Sequence, residues 1–164
     1  MRRLQVRLGS AGHSLYNGAI DNQGEPMSIA QAQAELLEEF SMFDNWMDRY
    51  QYIIDMGRQL PAFPEADRTP AHKIEGCQSN VWMTATPEAG RLRFRATSDA
   101  AIVSGLIAIL LRIYDAREPQ EILDSQPTFL AELGLDKHLS PTRSNGLHAM
   151  LERIHATARD AQAA

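Results

Sequence analysis

With 164 residues, 44% of them hydrophobic and 23% charged, the chain is long enough to bury a core without metal or disulfide staples, and too apolar for disorder. A net charge of −5, with the charges interspersed, excludes a dedicated nucleic-acid binder, because phosphate contacts need a clustered basic face. The longest apolar run, residues 102–113, is broken by Ser104 and Gly105 and falls short of the roughly 20 residues that cross a bilayer, so no membrane partner is expected.

Residues 1–26 carry Arg2, Arg3 and Arg7, no acid before Asp21, and scattered Gly and Asn. A secretory leader fails here, since Leu4, Val6 and Leu8 form no continuous apolar stretch. A basic organellar transit peptide remains open. The expectation is a poorly ordered extension, or an upstream start with Met27 as the natural first residue, followed by one domain over 27–164.

From Ser28 the pattern becomes helical. Ser28 with Gln31 forms a capping-box pair ahead of Ile29, Leu36, Leu37 and Phe40. Asp44 offers a second cap, and Trp46, Met47, Tyr50, Ile53 and Ile54 recur at helical spacing up to Gly57, a stop signal. Two helices, or one bent near 41–44, both fit. Pro61, Pro64 and Pro70 then predict an irregular connection.

Residues 81–86 are rich in β-branched and aromatic side chains, 87–90 are turn material, and Leu92, Phe94 and Ala96 alternate with arginines. This predicts a hairpin with one buried face. Ser98 is placed to cap a helix from about Asp99 to Tyr114 that has almost no polar face, so it is buried nearly all round. Gly105 costs that helix propensity, and its use is to let a neighbouring backbone approach. Shorter helical pieces follow at 119–123 and 128–133, the latter ending at Gly134. Ser140 and Pro141 start a C-terminal helix with Leu147, Met150, Leu151 and Ile154 on one face. The class is α+β, a small antiparallel sheet packed against helices.

Neither a dinucleotide nor a phosphate-loop fingerprint is present, and the histidines show no metal-ligand spacing. No metal site and no cofactor are expected. The one cysteine, Cys77, forbids an intrachain disulfide and suits a reducing cytoplasm. It lies in "KIEGCQSNVW", where His72 and Lys73 supply nearby cations, Gly76 supplies backbone freedom, and a strand follows. A free cysteine also packs well as a small hydrophobe. Local sequence leaves both readings, filler and reactive thiol, open.

Three stretches, "KIEGCQSNVW", "SDAAIVSGLIAILLRIYD" and "HLSPTRSNGL", resemble the SufE family of sulfur acceptors, including its CsdE branch, with the likeness running over residues 29–154. The resemblance implies a fold similar to that of the U-type iron–sulfur scaffold proteins. It implies a monomeric or weakly dimeric, non-enzymatic carrier that binds a SufS- or CsdA-like cysteine desulfurase and takes its persulfide sulfur onto Cys77. The carrier stimulates the desulfurase and passes sulfur to an iron–sulfur assembly complex. Pyridoxal phosphate belongs to the desulfurase. The family's acceptor loop packs inward at rest and swings outward in the complex, which makes Gly76 a hinge with Val81 and Trp82 as anchors. Asp99 and Arg143 match positions linked to the resting loop and to desulfurase activation, although a carboxylate suits any helix's first turn and an arginine can simply pair with an acid. Gln78 and Ser79 are placed to hydrogen-bond the loop, and Lys73 and Glu75 to meet the partner. Two other functions compete: an iron–sulfur scaffold, which one cysteine disfavours, and a Cys–His enzyme using His72 as base.

Overall fold

A computed structural model describes residues 23–164, so the readings made for the N-terminal extension lie outside the described residues up to position 22. The order is α1 (Ile29–Phe40), α2 (Trp46–Arg58), β1 (Val81–Glu88), β2 (Arg91–Ser98), α3 (Ala101–Tyr114), α4 (Pro119–Asp124), α5 (Phe129–Glu132), α6 (Leu135–His138) and α7 (Pro141–Ala163). Two single 3-10 turns, Glu65–Asp67 and Pro70–His72, occupy the proline-rich connection.

The capping box forms as expected: Gln31 N donates to Ser28 Oγ at 3.1 Å and Ser28 N to Gln31 Oε1 at 2.7 Å. Ile29, Ala32, Leu36 and Phe40 then fall on one buried face. The chain breaks before α2, whose cap is Asn45 rather than Asp44: the Asn45 side chain accepts the Asp48 N–H at 2.9 Å. Nor does Gly57 stop α2, which continues to Arg58. Its role is contact with α3. A β-carbon built at Gly57 would stand 2.5 Å from Gly105 N, and one built at Gly105 would stand 2.2 Å from the Ile53 carbonyl oxygen. The two helices therefore cross backbone to backbone.

Helix α3 is the core. Of its residues only Ala101, Ser104 and Arg112 escape full burial. Arg112 is held by Glu39 of α1 through two bonds of 2.7 Å, and Tyr52 of α2 donates to the same carboxylate at 2.6 Å. Burial works against the Glu39 charge, but the hydrogen bonds from Arg112 and Tyr52 outweigh it and hold its carboxyl below the usual range. Ser98 is the last residue of β2 and not the helix cap, which is Ala100; the Ser98 hydroxyl accepts the Ala100 N–H at 3.2 Å instead. The helix start moves because β2 keeps pairing through Ser98, opposite Val81.

The strands form a two-stranded antiparallel sheet, turning at Ala89 and Gly90 with φ of 51° and 78°. Positive φ at both central residues is the turn that matches strand twist. Leu92 exchanges backbone bonds outward, donating to Arg117 O at 2.9 Å and accepting from Ala116 N at 2.8 Å. Pro87 is opposite Leu92, so its missing N–H falls on the outer edge of β1, where proline is tolerated. Val81, Met83, Leu92, Phe94 and Ala96 bury one face against the core. Beyond α3 the chain is pinned by Arg117, 1% exposed, which donates to Ile113 O at 2.9 Å, Arg112 O at 3.4 Å and Met27 O. A guanidinium thus satisfies carbonyls of the last turn of α3, at the negative end of its dipole.

The expected piece at 128–133 forms as α5 and ends before Gly134, at φ 77°; beyond that glycine lies α6, which the spacing does not reveal.

The α2–α3 crossing gives the first prediction. Gly105→Ala gains helix propensity worth about 1 kcal/mol, yet its methyl meets backbone that cannot rotate away. A net destabilisation of about 2 kcal/mol is expected from overpacking, read as a lower thermal midpoint; an unchanged or higher midpoint would show that the two backbones are not in contact.

Candidate functional site

Residues 75–80 leave the sheet and return to it. Lys73 bridges Trp82, and Ile74 N donates to Val81 O at 2.9 Å, which closes the base of the loop. Asp99 closes it from the other side: its carboxylate accepts Asn80 N at 3.2 Å and Asn80 Nδ2 at 2.9 Å. Asp99 precedes α3 instead of occupying its first turn, so its reason for being there is the loop and not the helix dipole. Gly76 has φ 90°, a conformation costly for any side chain with a β-carbon.

This backbone turn puts Cys77 into a cavity of ≈ 320 Å³. Ile102, Val103 and Leu106 of α3 with Leu147 and Met150 of α7 supply the apolar lining; Gln78, Ser79, Ser140, Thr142 and Arg143 supply the polar part. The Cys77 thiol, half-buried, points at α7 and donates to the Gly146 carbonyl at 3.6 Å. Beneath it on α7 is Gly146, where even a β-carbon would stand 3.5 Å from the sulfur, in ordinary contact.

The thiol is not activated at rest. Burial pushes its pKa up, since a thiolate would lose its hydration, and the Glu75 carboxylate pushes it further in the same direction. The residues expected to do the opposite, His72 and Lys73, do not line this cavity. His72 Nδ1 lies 2.7 Å from Asp67 O, and His72 lines a different depression, with Thr84, Arg93 and Arg95. Lys73 is at the loop base and does not line the cavity.

Arg143 lies in the first turn of α7, where its N–H donates to the Ser140 cap at 3.4 Å. Its guanidinium does not pair with an acid among the described residues. It lies 5.8 Å from the Tyr50 ring centroid, beginning a ladder in which Trp46 meets Tyr50 edge-on at 6.5 Å and stacks on His138 at 4.5 Å.

The comparisons with known proteins agree with this architecture. A family model described as the SufE Fe–S metabolism associated domain matches residues 34–158. The chain belongs to the SufE family. The solution structure of a hypothetical protein from Thermus thermophilus shares the fold, with a TM-score of 0.67 and 24% identity over 81% of this chain and 97% of that one.

As a SufE-family protein associated with Fe–S metabolism, the chain gathers Cys77, Gln78 and Arg143 at one cavity, with Gly76 and Glu75 on the same loop and Asp99 at its neck. Lys73, Glu75, Gly76 and Asp99 do not line the cavity themselves; the Lys73 carbonyl accepts Arg153 Nη2 at 3.1 Å. Sequence reasoning missed Gly146, Ala149 and Arg153 of α7 and Tyr50 of α2. A signal existed for one of them: Gly146 interrupts a helix with no turn to make, the same anomaly that marked Gly105.

The buried thiol carries a pH prediction. The folded-state pKa is raised above that of the unfolded chain, so the inward position is fully favoured below the unfolded thiol's range and loses its advantage as pH rises through the folded one. Alkylation of Cys77 by iodoacetamide should therefore have its midpoint at higher pH in the folded chain than in the same chain in urea. A folded-state midpoint at or below the urea value would refute the burial of the sulfur.

Proposed function

We propose that the protein is a sulfur carrier of iron–sulfur cluster assembly that takes persulfide sulfur from a cysteine desulfurase onto Cys77. The observation carrying this reading is that the chain's one thiol sits on a loop tethered at both ends and turned at a glycine, inside a cavity where burial disfavours its thiolate. A carrier needs a sulfur that is unreactive until the donor is in place, because an exposed persulfide is oxidised or reduced.

In the transfer, the outward loop hydrates the sulfur and removes the burial that disfavours its thiolate. The Cys77 thiolate attacks the terminal sulfur of the donor persulfide; a new S–S bond forms, the donor's S–S bond breaks, and the donor cysteine leaves as a thiolate. Atoms and electrons balance without an oxidant. The desulfurase cleaves the C–S bond with its own pyridoxal phosphate, and this chain acts as acceptor and as stimulator, because emptying the donor cysteine frees it for another turnover. Delivery to an assembly complex repeats the exchange with Cys77 as donor. Gly76 serves as the hinge, Asp99 restrains the loop neck, Arg143 and Gln78 line the cavity, and Glu75, exposed on the loop, with Lys73 at its base would meet the partner.

Two observations weigh against the competing functions. A cluster scaffold needs several ligands, and among the described residues no three of His, Cys, Asp and Glu converge to hold a metal. A Cys–His enzyme needs a base at the sulfur, and the hydrogen bond of Cys77 goes to a backbone carbonyl.

Incubation with a cysteine desulfurase and cysteine, followed by intact-mass measurement and peptide mapping, should show one added sulfur on Cys77 and faster desulfurase turnover. Cys77→Ser should abolish both. Stimulation by Cys77→Ser equal to that of the wild-type chain would rule out the acceptor role.

A further inference from the structure

Three contacts hold the loop on α7, and they follow the ladder of that helix. Cys77 lies over Gly146: a β-carbon built at 146 would stand 3.5 Å from Cys77 Sγ, 3.8 Å from its Cβ and 3.9 Å from its Cα. Gly76 lies over Ala149, whose Cβ would be 3.4 Å from a β-carbon built at Gly76. Further along α7, Arg153 Nη2 donates to the Lys73 carbonyl at 3.1 Å. Positions 146, 149 and 153 are three and four residues apart, so they share one helix face, and the chain from Lys73 to Cys77 runs along it in the opposite direction.

We infer that Gly146, Ala149 and Arg153 form a latch on α7 that sets how often the Cys77 loop leaves its cavity. They are positioning residues, acting on the sulfur through the loop. The two small residues leave the volume that Gly76 and Cys77 fill, and a longer side chain at either place competes with the loop for it. A β-carbon at 146 would already be in van der Waals contact with Cys77, so the approach tolerates a methyl there, whereas a branched side chain competes with the loop. Arg153 holds the near end of the loop against α7 by its bond to the Lys73 carbonyl, a bond that the inward loop makes and the outward loop gives up as the chain bends at Gly76. The use of the latch rests on the carrier reading: a donor that binds the outward loop shifts the equilibrium only by its preference for that state. The latch itself is a property of the isolated chain.

The test compares iodoacetamide alkylation of Cys77 in the full chain and in folded variants, with circular dichroism as the folding check. Ala149→Leu and Gly146→Val should raise the rate at neutral pH by about tenfold, the change in thiolate fraction that one pKa unit gives, with the pH midpoint moving down. Gly146→Ala, whose methyl would make only ordinary contact with the sulfur, should behave as wild type. Arg153→Ala should raise the rate by less, and Arg153→Lys, which keeps a donor for the Lys73 carbonyl, should restore it. Wild-type rates and midpoints in Ala149→Leu and Gly146→Val would overturn the latch; should both misfold, equal rates for Arg153→Ala, Arg153→Lys and wild type would overturn it. A parallel incubation with desulfurase and cysteine separates the two readings. Faster alkylation in the variants, without sulfur uptake by the wild-type chain, would support the latch and refute the carrier.

Discussion

Helix α3 has no polar face, and the rest of the molecule is arranged around keeping water from it. A single neighbour covers one side of such a helix, so α1, α2, the hairpin and α7 are all drawn onto it. The tightest of these contacts, at Gly57 and Gly105, brings α2 against α3 with no side chain between the backbones. Two arginines at the C-terminal end of α3 are accommodated by pairing. Arg112 reaches a carboxylate on α1, and Arg117 is buried only because backbone carbonyls of α3 and of Met27 surround its guanidinium.

The same burial produces the site. The hairpin and α7 meet on α3, and the chain entering β1 must pass over the seam between them. Its loop lies on the near end of α7, where Ile102, Val103 and Leu106 already form an apolar floor. Cys77 therefore shares the environment of the core, which raises the thiol's pKa and lowers its reactivity. On the proposed carrier reading, protection and transfer conflict within one position of the loop, and an outward swing bounded by the tethers at Trp82 and Asp99 would reconcile them without rearranging the sheet or α3.

Much of this was legible in order along the chain. The capping box at Ser28, the alternation in β2, the nearly all-apolar run of α3 and the Ser140–Pro141 start of α7 are local patterns, each set by a period or a cap, and each gives its element in the expected place. The errors fell where a tertiary contact overrode a local signal. Gly57 has the look of a stop but packs against α3; Ser98 has the look of a cap but is held in the sheet by Val81. Asp99 and Arg143 invite generic explanations, a helix dipole and an ion pair, whereas the fold gives them particular partners, Asn80 and Tyr50.

Sequence alone settled the class of the fold, the family resemblance and the one atom available for sulfur chemistry, because hydrophobic period, motif order and a cysteine count are all properties of a linear chain. Only the folded molecule decided the state of that atom. His72 and Lys73 are near Cys77 in sequence, yet the groups that act on the sulfur are Glu75 and the α7 backbone at Gly146, the latter 69 residues away along the chain. Electrostatics and desolvation depend on distance in space, and residues distant along the chain come together only when α3 has gathered its neighbours.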